Sequence, residues 1–225
     1  MKTIGDFRDK HKGDDVFVFG ASPELHHFDM SLIKGRATIC VNSSILKIKT
    51  PTYYFTSDGH QIYKKHWEFV QAGDFPIVLN RQSMHGYRQV ADSEKNKNRV
   101  VYYEKEHTDK LNKNADKIIF GISSIHCATH FASILGAKRI IVIGANCKFT
   151  GDKLHFYDYD GEIDDTIADK KIEAGIPTYP RTNDTNGMME AMLCYWQTLR
   201  SENPNANIVV QGDRLEKIFP KYEND

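Results

Sequence analysis

Short apolar runs rich in Val, Ile, Phe and Tyr recur along this chain, separated by longer stretches in which apolar residues return at helical spacing. Runs of this kind mark strands buried on both faces, and their alternation with helical stretches predicts an α/β sheet of parallel strands with crossover helices. The predicted strands cover residues 16–19, 37–41, 52–56, 76–79, 100–103, 117–120, 139–143 and 207–211, each bounded by Gly, Asn, Asp or Pro.

Two helices carry the clearest periodicity. Ser123 or Ser124 can cap the first, which runs to about residue 137 with Ile125, Ala128, Ala132 and Leu135 on one face and Gly136 as its stop. The second covers 185–202, with Met188, Met189, Met192, Tyr195 and Trp196 at helical spacing, and ends near Asn203-Pro204. That aromatic and methionine stripe reads as core.

The segment 148–186 differs in character. Apolar residues are sparse, and residues 152–173 carry eight acids against three bases, so this stretch buries little by itself. It reads as an acidic, lid-like insertion over an active site, or else as a solvated excursion. With no internal repeat and no linker to divide the chain, residues 1–225 are expected to form a single domain.

Composition narrows the function classes. The 225 residues hold 30 Lys plus Arg and 30 Asp plus Glu, so no net field draws the protein to phosphate polymers or anionic lipid, which disfavours nucleic acid as a partner. Residues 81–113 do carry eight bases against five acids, an excess that reads as a solvated face. Cys40, Cys127, Cys147 and Cys194 are widely spaced without a C-x-x-C pair, which fits a reducing compartment and hence the cytoplasm. The polar N-terminus and the absence of any apolar run near ~20 residues predict neither signal peptide nor membrane span.

Three strand ends carry candidate chemistry. The first runs into Gly20-Ala21-Ser22-Pro23, where Gly20 allows a tight turn, Ser22 can cap and Pro23 suits the first helical position. Such a turn reads as an anion cradle of outward amides, or simply as a capped turn. The dinucleotide fingerprint needs glycines where Ser22 and Leu25 stand and an acid where Asn42 stands, so a nicotinamide oxidoreductase is disfavoured. Asn42 ends the second strand and suits a ribose hydroxyl or base edge, or caps the next helix. Asp58 follows the third strand in Thr56-Ser57-Asp58-Gly59, as a site carboxylate or as turn chemistry.

Gly121-Ile122-Ser123-Ser124 is another junction that puts hydroxyls and amides at a helix N-terminus. A serine-hydrolase elbow would need Gly where Ile125 sits. His126 and His130 stand four apart, a metal-ligand spacing, yet without an accompanying Glu they read as surface or packed histidines, and no metal is assigned. Within the acidic segment, His155, Tyr157 and Tyr159 suit group transfer, the imidazole taking a proton from an attacking hydroxyl and the phenols donating to a departing phosphate oxygen. The same cluster also reads as an aromatic plug docking the loop.

The loop Phe19-Gly20-Ala21-Ser22-Pro23, the strand ending in Asn42, the strand Tyr53-Tyr54-Phe55-Thr56-Ser57-Asp58, and the stretch from Gly121-Ile122-Ser123-Ser124 to Leu135-Gly136 and Ile143-Gly144 together resemble one superfamily with a Rossmann-like sheet. One branch is the bacterial family 42 sialyltransferases; the other is the 6-hydroxymethylpterin diphosphokinase-like family, frequent in bacterial and phage genomes. The sialyltransferase branch implies a metal-independent, inverting transfer, with Asn42, Gly121, Ser123 and Ser124 at the nucleotide, His155 as base, and Tyr157 and Tyr159 assisting the leaving phosphate. Departures stand at Gly20-Ala21-Ser22-Pro23-Glu24, where that family reads Gly-x-Gly-Pro-Ser, and at Ala145-Asn146, where it carries an acid.

The expectation is therefore a nucleotide-dependent transferase, a glycosyltransferase with a CMP-sialic-acid-like donor as substrate, no required cofactor, and a glycan or small-molecule acceptor. Gly20, Ala21, Ser22, Asn42, Asp58, Gly121, Ser123 and Ser124 would bind the nucleotide, and a homo-oligomer is compatible with the reading. The alternatives are a pterin-type diphosphokinase using ATP and Mg2+, for which Asp58 is the one carboxylate offered near the third strand, and a nucleotide-binding module without catalysis.

Overall fold

Val16 and Val18 turn to one face of a sheet while Phe17 and Phe19 turn to the other, and both pairs are buried. The same split divides Ile39 and Val41 from Cys40, and Ile140 and Val142 from Ile141 and Ile143. Side chains alternate across a strand, so burial on both sides demands the unbroken apolar runs seen in the sequence. A computed structural model describes residues 2–57, 68–81, 96, 98–147 and 183–223.

The strands are β1 (Lys2–Thr3), β2 (Asp15–Phe19), β3 (Ala37–Val41), β4 (Tyr53–Thr56), β5 (Ile77–Asn80), β6 (Val100–Tyr103), β7 (Lys105–Glu106), β8 (Ile118–Ile119), β9 (Arg139–Ile143) and β10 (Ile208–Gln211). Eight of them form one sheet in the order β1-β6-β5-β4-β3-β2-β9-β10, with every pairing parallel. This is the open, Rossmann-like α/β architecture that the strand pattern predicts.

The chain steps outward from β2 through β3, β4, β5 and β6, then returns to place β9 and β10 on the other side of β2. The order therefore reverses between β2 and β9, and in open α/β sheets ligands bind beyond the carboxyl ends of the strands at such a reversal.

Two helices carry side chains into the face shared by Val16 and Ile39: α1 (Ser124–Ile134) and α2 (Asn183–Glu202). Phe131 of α1 meets Phe7, Tyr53 and Phe55 with ring centroids 6.2, 5.4 and 5.9 Å away. The opposite face is filled by Leu25, Phe28, Ile45, Ile48 and Phe75 from short 3-10 turns and loops, and by Val70 from a helical stretch over 68–72. α1 stops at Leu135, shorter than the spacing suggests, because Gly136 takes φ +83 and the Gly136 and Ala137 amides bond back to Ser133 and Ala132.

The expected strand over 117–120 contracts to β8, which pairs with β7 in a separate two-stranded ribbon. The Ile119 amide donates to His130 Nδ1 of α1 at 3.0 Å, so this segment lies beneath the helix and is not a ninth member of the large sheet. The eighth place is filled by β1, whose two exposed residues are too few and too polar to show any alternation. No helix among the described residues is long and apolar enough to cross a membrane.

Candidate functional site

Register fixes which turns stand side by side. Phe19 pairs with Ile143 on one side and Cys40 on the other, so Gly20 is level with Gly144, and Ala21 with Asn42. Val41 pairs with Phe55, which brings Ser57 level with Ser43. Gly20, Ala21, Ser22 and Asn42 thus share the carboxyl edge, with the Gly20 turn beside the reversal and Asn42 one strand away.

The Gly20 turn is locked to the Gly144 turn by backbone. Gly20 N–H donates to the Ile143 carbonyl at 2.8 Å and Ser22 N–H to the Gly144 carbonyl at 2.9 Å. A Cβ at Gly20 would run into the Gly144 carbonyl oxygen and stand 2.7 Å from Ile125 Cδ1, so no larger residue fits. Two amides of the expected anion cradle are therefore spent on the end of β9 and the Gly144 turn after it. Ser22 occupies the N-cap position before Pro23, but its hydroxyl makes no cap bond. The first turn acts as a wall packed on α1 through Ile125.

Asn42 sits at φ +54, the left-handed conformation that asparagine tolerates better than most residues, and Val41, not Asn42, is the N-cap of the 3-10 turn that follows. At the next strand end, Ser57 donates from its amide and its hydroxyl to Ser124 Oγ, at 3.0 and 2.9 Å. Both serines are buried. These bonds fasten the β4 turn to the first residue of α1. Asp58 itself, and His155, Tyr157 and Tyr159, lie outside the described residues.

At α1 the N-cap residue is Ser123, yet its side chain accepts no backbone amide. It shares a 2.8 Å hydrogen bond with Nδ1 of His126, three residues on. A serine at this position ordinarily satisfies one of the orphan amides of the first turn; here its oxygen is turned to an imidazole instead. The His126 ring is fully buried, 4.4 Å from the Trp196 ring and 4.7 Å from that of Tyr195. Burial pushes its pKa down to about 3, outweighing the pull of the Met192 backbone.

The turn before the helix is held from α2. Gly121, at φ +54, donates from its amide to the Tyr195 hydroxyl at 3.3 Å, and that hydroxyl donates to Asp109 Oδ1 at 2.6 Å. Flanking Gly121, Phe120 and Ile122 are each 48% exposed, large apolar side chains left at the mouth of the helix. Phe120 stacks on His107 at 4.8 Å and 16°, with Lys105 Nζ 5.2 Å above its ring.

His130 settles one alternative left open by its spacing. Nδ1 accepts from the Ile119 amide and Nε2 donates to the Asn112 carbonyl, both at 3.0 Å, so the ring is a neutral Nε2–H tautomer spent on backbone. Burial holds its pKa down at about 4. His126 and His130 are packed histidines.

Sequence reasoning missed the group next to Gly144. Asn146 is fully buried, donates from Nδ2 to Glu24 Oε1 at 2.5 Å, and accepts the Arg214 amide at Oδ1 at 2.7 Å. The Arg214 guanidinium donates to the Cys147 carbonyl and to both oxygens of Glu190, at 2.8, 2.7 and 2.8 Å. This network ties the first turn to α2 and β10. It also puts a carboxylate on the Gly20 turn, which leaves the α1 terminus as the better seat for an anion. No local signal could have paired Glu24 with Asn146, 122 residues away. Comparison with protein-family models and with curated proteins finds no match to this chain.

Proposed function

We propose that this chain is a nucleotide-dependent transferase, a metal-independent glycosyltransferase that takes a CMP-sialic-acid-like donor. The observation that carries the reading is the N-terminus of α1: Ser123, its N-cap residue, turns its hydroxyl to His126 and makes no side-chain cap bond, at the carboxyl edge where the β2 and β4 turns meet the helix. Helix amides and the positive end of the helix dipole stabilise phosphate oxygens. In this reading the donor phosphate lies on the Gly121–Ser124 turn, Asn42 faces the ribose or base, and exposed Phe120 and Ile122 offer apolar surface beside it.

His155 is assigned as general base, taking the proton of the acceptor hydroxyl as the new C–O bond to the sugar forms. The sugar–phosphate bond breaks with its electron pair passing to CMP, and Tyr157 and Tyr159 donate to the departing oxygen. The location proposed is cytoplasmic. The test is release of CMP from a CMP-activated sugar by the full chain in EDTA. Turnover without metal supports the reading; AMP release from ATP with an absolute need for Mg2+ replaces it with the pterin-type diphosphokinase, and saturable nucleotide binding without turnover replaces it with a binding module.

A further inference from the structure

Two adjoining cavities, of about 300 and 610 Å3, open where β2, β3 and β9 begin, at the edge of the sheet opposite the turns described above. Both are lined by Asp15, Arg36 and Lys138; Lys34 and Arg139 each line one of them. Asp15 is already neutralised, since Arg139 donates to its Oδ2 from Nε and Nη2 at 3.2 and 2.6 Å. Arg36 Nη1 stands 4.0 Å from that same oxygen and is largely solvated. Lys34 and Lys138 are exposed and form no ion pair among the described residues. The second acid of the wall, Asp14, lies 3.5 Å from His11 Nδ1.

Two carboxylates, Asp15 paired to Arg139 and Asp14 beside His11, therefore stand among the four cations Lys34, Arg36, Lys138 and Arg139 in a concave surface, which leaves the cations in excess. Like charges gathered around a concavity focus a positive field into it, and a guanidinium beside two ammonium groups matches the oxygens of a phosphate. One wall is aromatic: Tyr222 meets Phe17 edge-on at 5.7 Å, with the Arg139 guanidinium 5.8 Å above the tyrosine ring. Nucleic acid would need a basic stripe over an extended face, whereas the whole chain has zero net charge and this excess is confined to a hollow.

We propose that the amino edge of the sheet is a second binding site, for a small multiply charged anion bearing a phosphate or diphosphate. It stands independently of the transferase reading. The test is titration of the full chain with inorganic pyrophosphate at low salt, followed through the backbone amides of Gly13, Gly35 and Lys138 by NMR. Saturable shifts at these amides are expected, with affinity reduced tenfold or more in Lys34→Ala/Lys138→Ala at an unchanged melting temperature, and retained in Ser123→Ala. The proposal is overturned by silence at the three amides, or by equal affinity in the double variant. It is also overturned if a 12-nucleotide single strand binds the same lysines more tightly than pyrophosphate.

Discussion

The Ser123 hydroxyl and His126 Nδ1 lie 2.8 Å apart, so the residue that should close helix α1 instead holds a buried imidazole. Ser123→Ala leaves the helix with no less capping than it has now, since the native side chain accepts no amide. The expected cost in stability is that of one buried hydrogen bond, about 1 kcal/mol. A loss above about 3 kcal/mol in urea unfolding would show that the hydroxyl does cap the helix in solution.

Ser124→Ala removes the hydroxyl that accepts from both the Ser57 amide and the Ser57 hydroxyl. A stability loss of about 1–3 kcal/mol is expected, together with weaker nucleotide binding as the β4 turn comes away from α1. Chemical denaturation and calorimetric titration read the two effects separately.

Gly20→Ala forces a methyl group against the Gly144 carbonyl oxygen, and Gly144→Ala places a side chain at φ +72 with the Gly20 oxygen 2.8 Å away. Neither clash is against a flexible side-chain tip, so each substitution should cost about 3 kcal/mol. Wild-type melting temperatures in both variants would mean that the two turns are not in backbone contact.

The buried histidines set an acid limit. With folded pKa values near 3 for His126 and 4 for His130, below the ordinary 6.5, the unfolded chain binds protons that the folded chain refuses. Stability therefore falls as pH drops below about 6.5, each ring contributing up to about 1.4 kcal/mol per pH unit until its folded pKa is reached. Melting temperature measured from pH 7 to 5 should decline, and His130→Gln should flatten the slope.

His155→Ala tests the chemistry assigned to the acidic segment. Turnover is expected to fall at least 100-fold with nucleotide affinity changed less than threefold, since a base acts on the acceptor and not on the nucleotide. Unchanged turnover removes His155 from the mechanism.

Much of this fold was legible because the strands are buried on both faces, so Val16-Phe17-Val18-Phe19 and Ile140-Ile141-Val142-Ile143 read as unbroken apolar runs. The turns after β2 and β3, and the Gly121 turn before α1, were equally plain, because Gly, Asn and Ser punctuate them. What hid was long-range. β1 has two exposed residues and exists only by pairing with Val101 and Tyr102, and Ile118–Ile119 has strand composition but a helix for its neighbour. Ser123 reads as a cap from its position, and only the fold reveals that its hydroxyl goes to His126. The Glu24–Asn146–Arg214 network draws on three distant segments, each polar in the way any loop is polar.

In the proposed function, a nucleotide's phosphate sits on the α1 terminus at the carboxyl edge. Titration of the full chain with CMP, followed by backbone-amide NMR, tests it most directly. Saturable shifts are expected at Ala21, Asn42, Gly121 and Ser123 to His126, with Gly13 and Gly35 at the amino edge moving less. Saturable binding that leaves the Gly121 to His126 amides unmoved, or no binding of CMP, UMP or AMP at all, would contradict it.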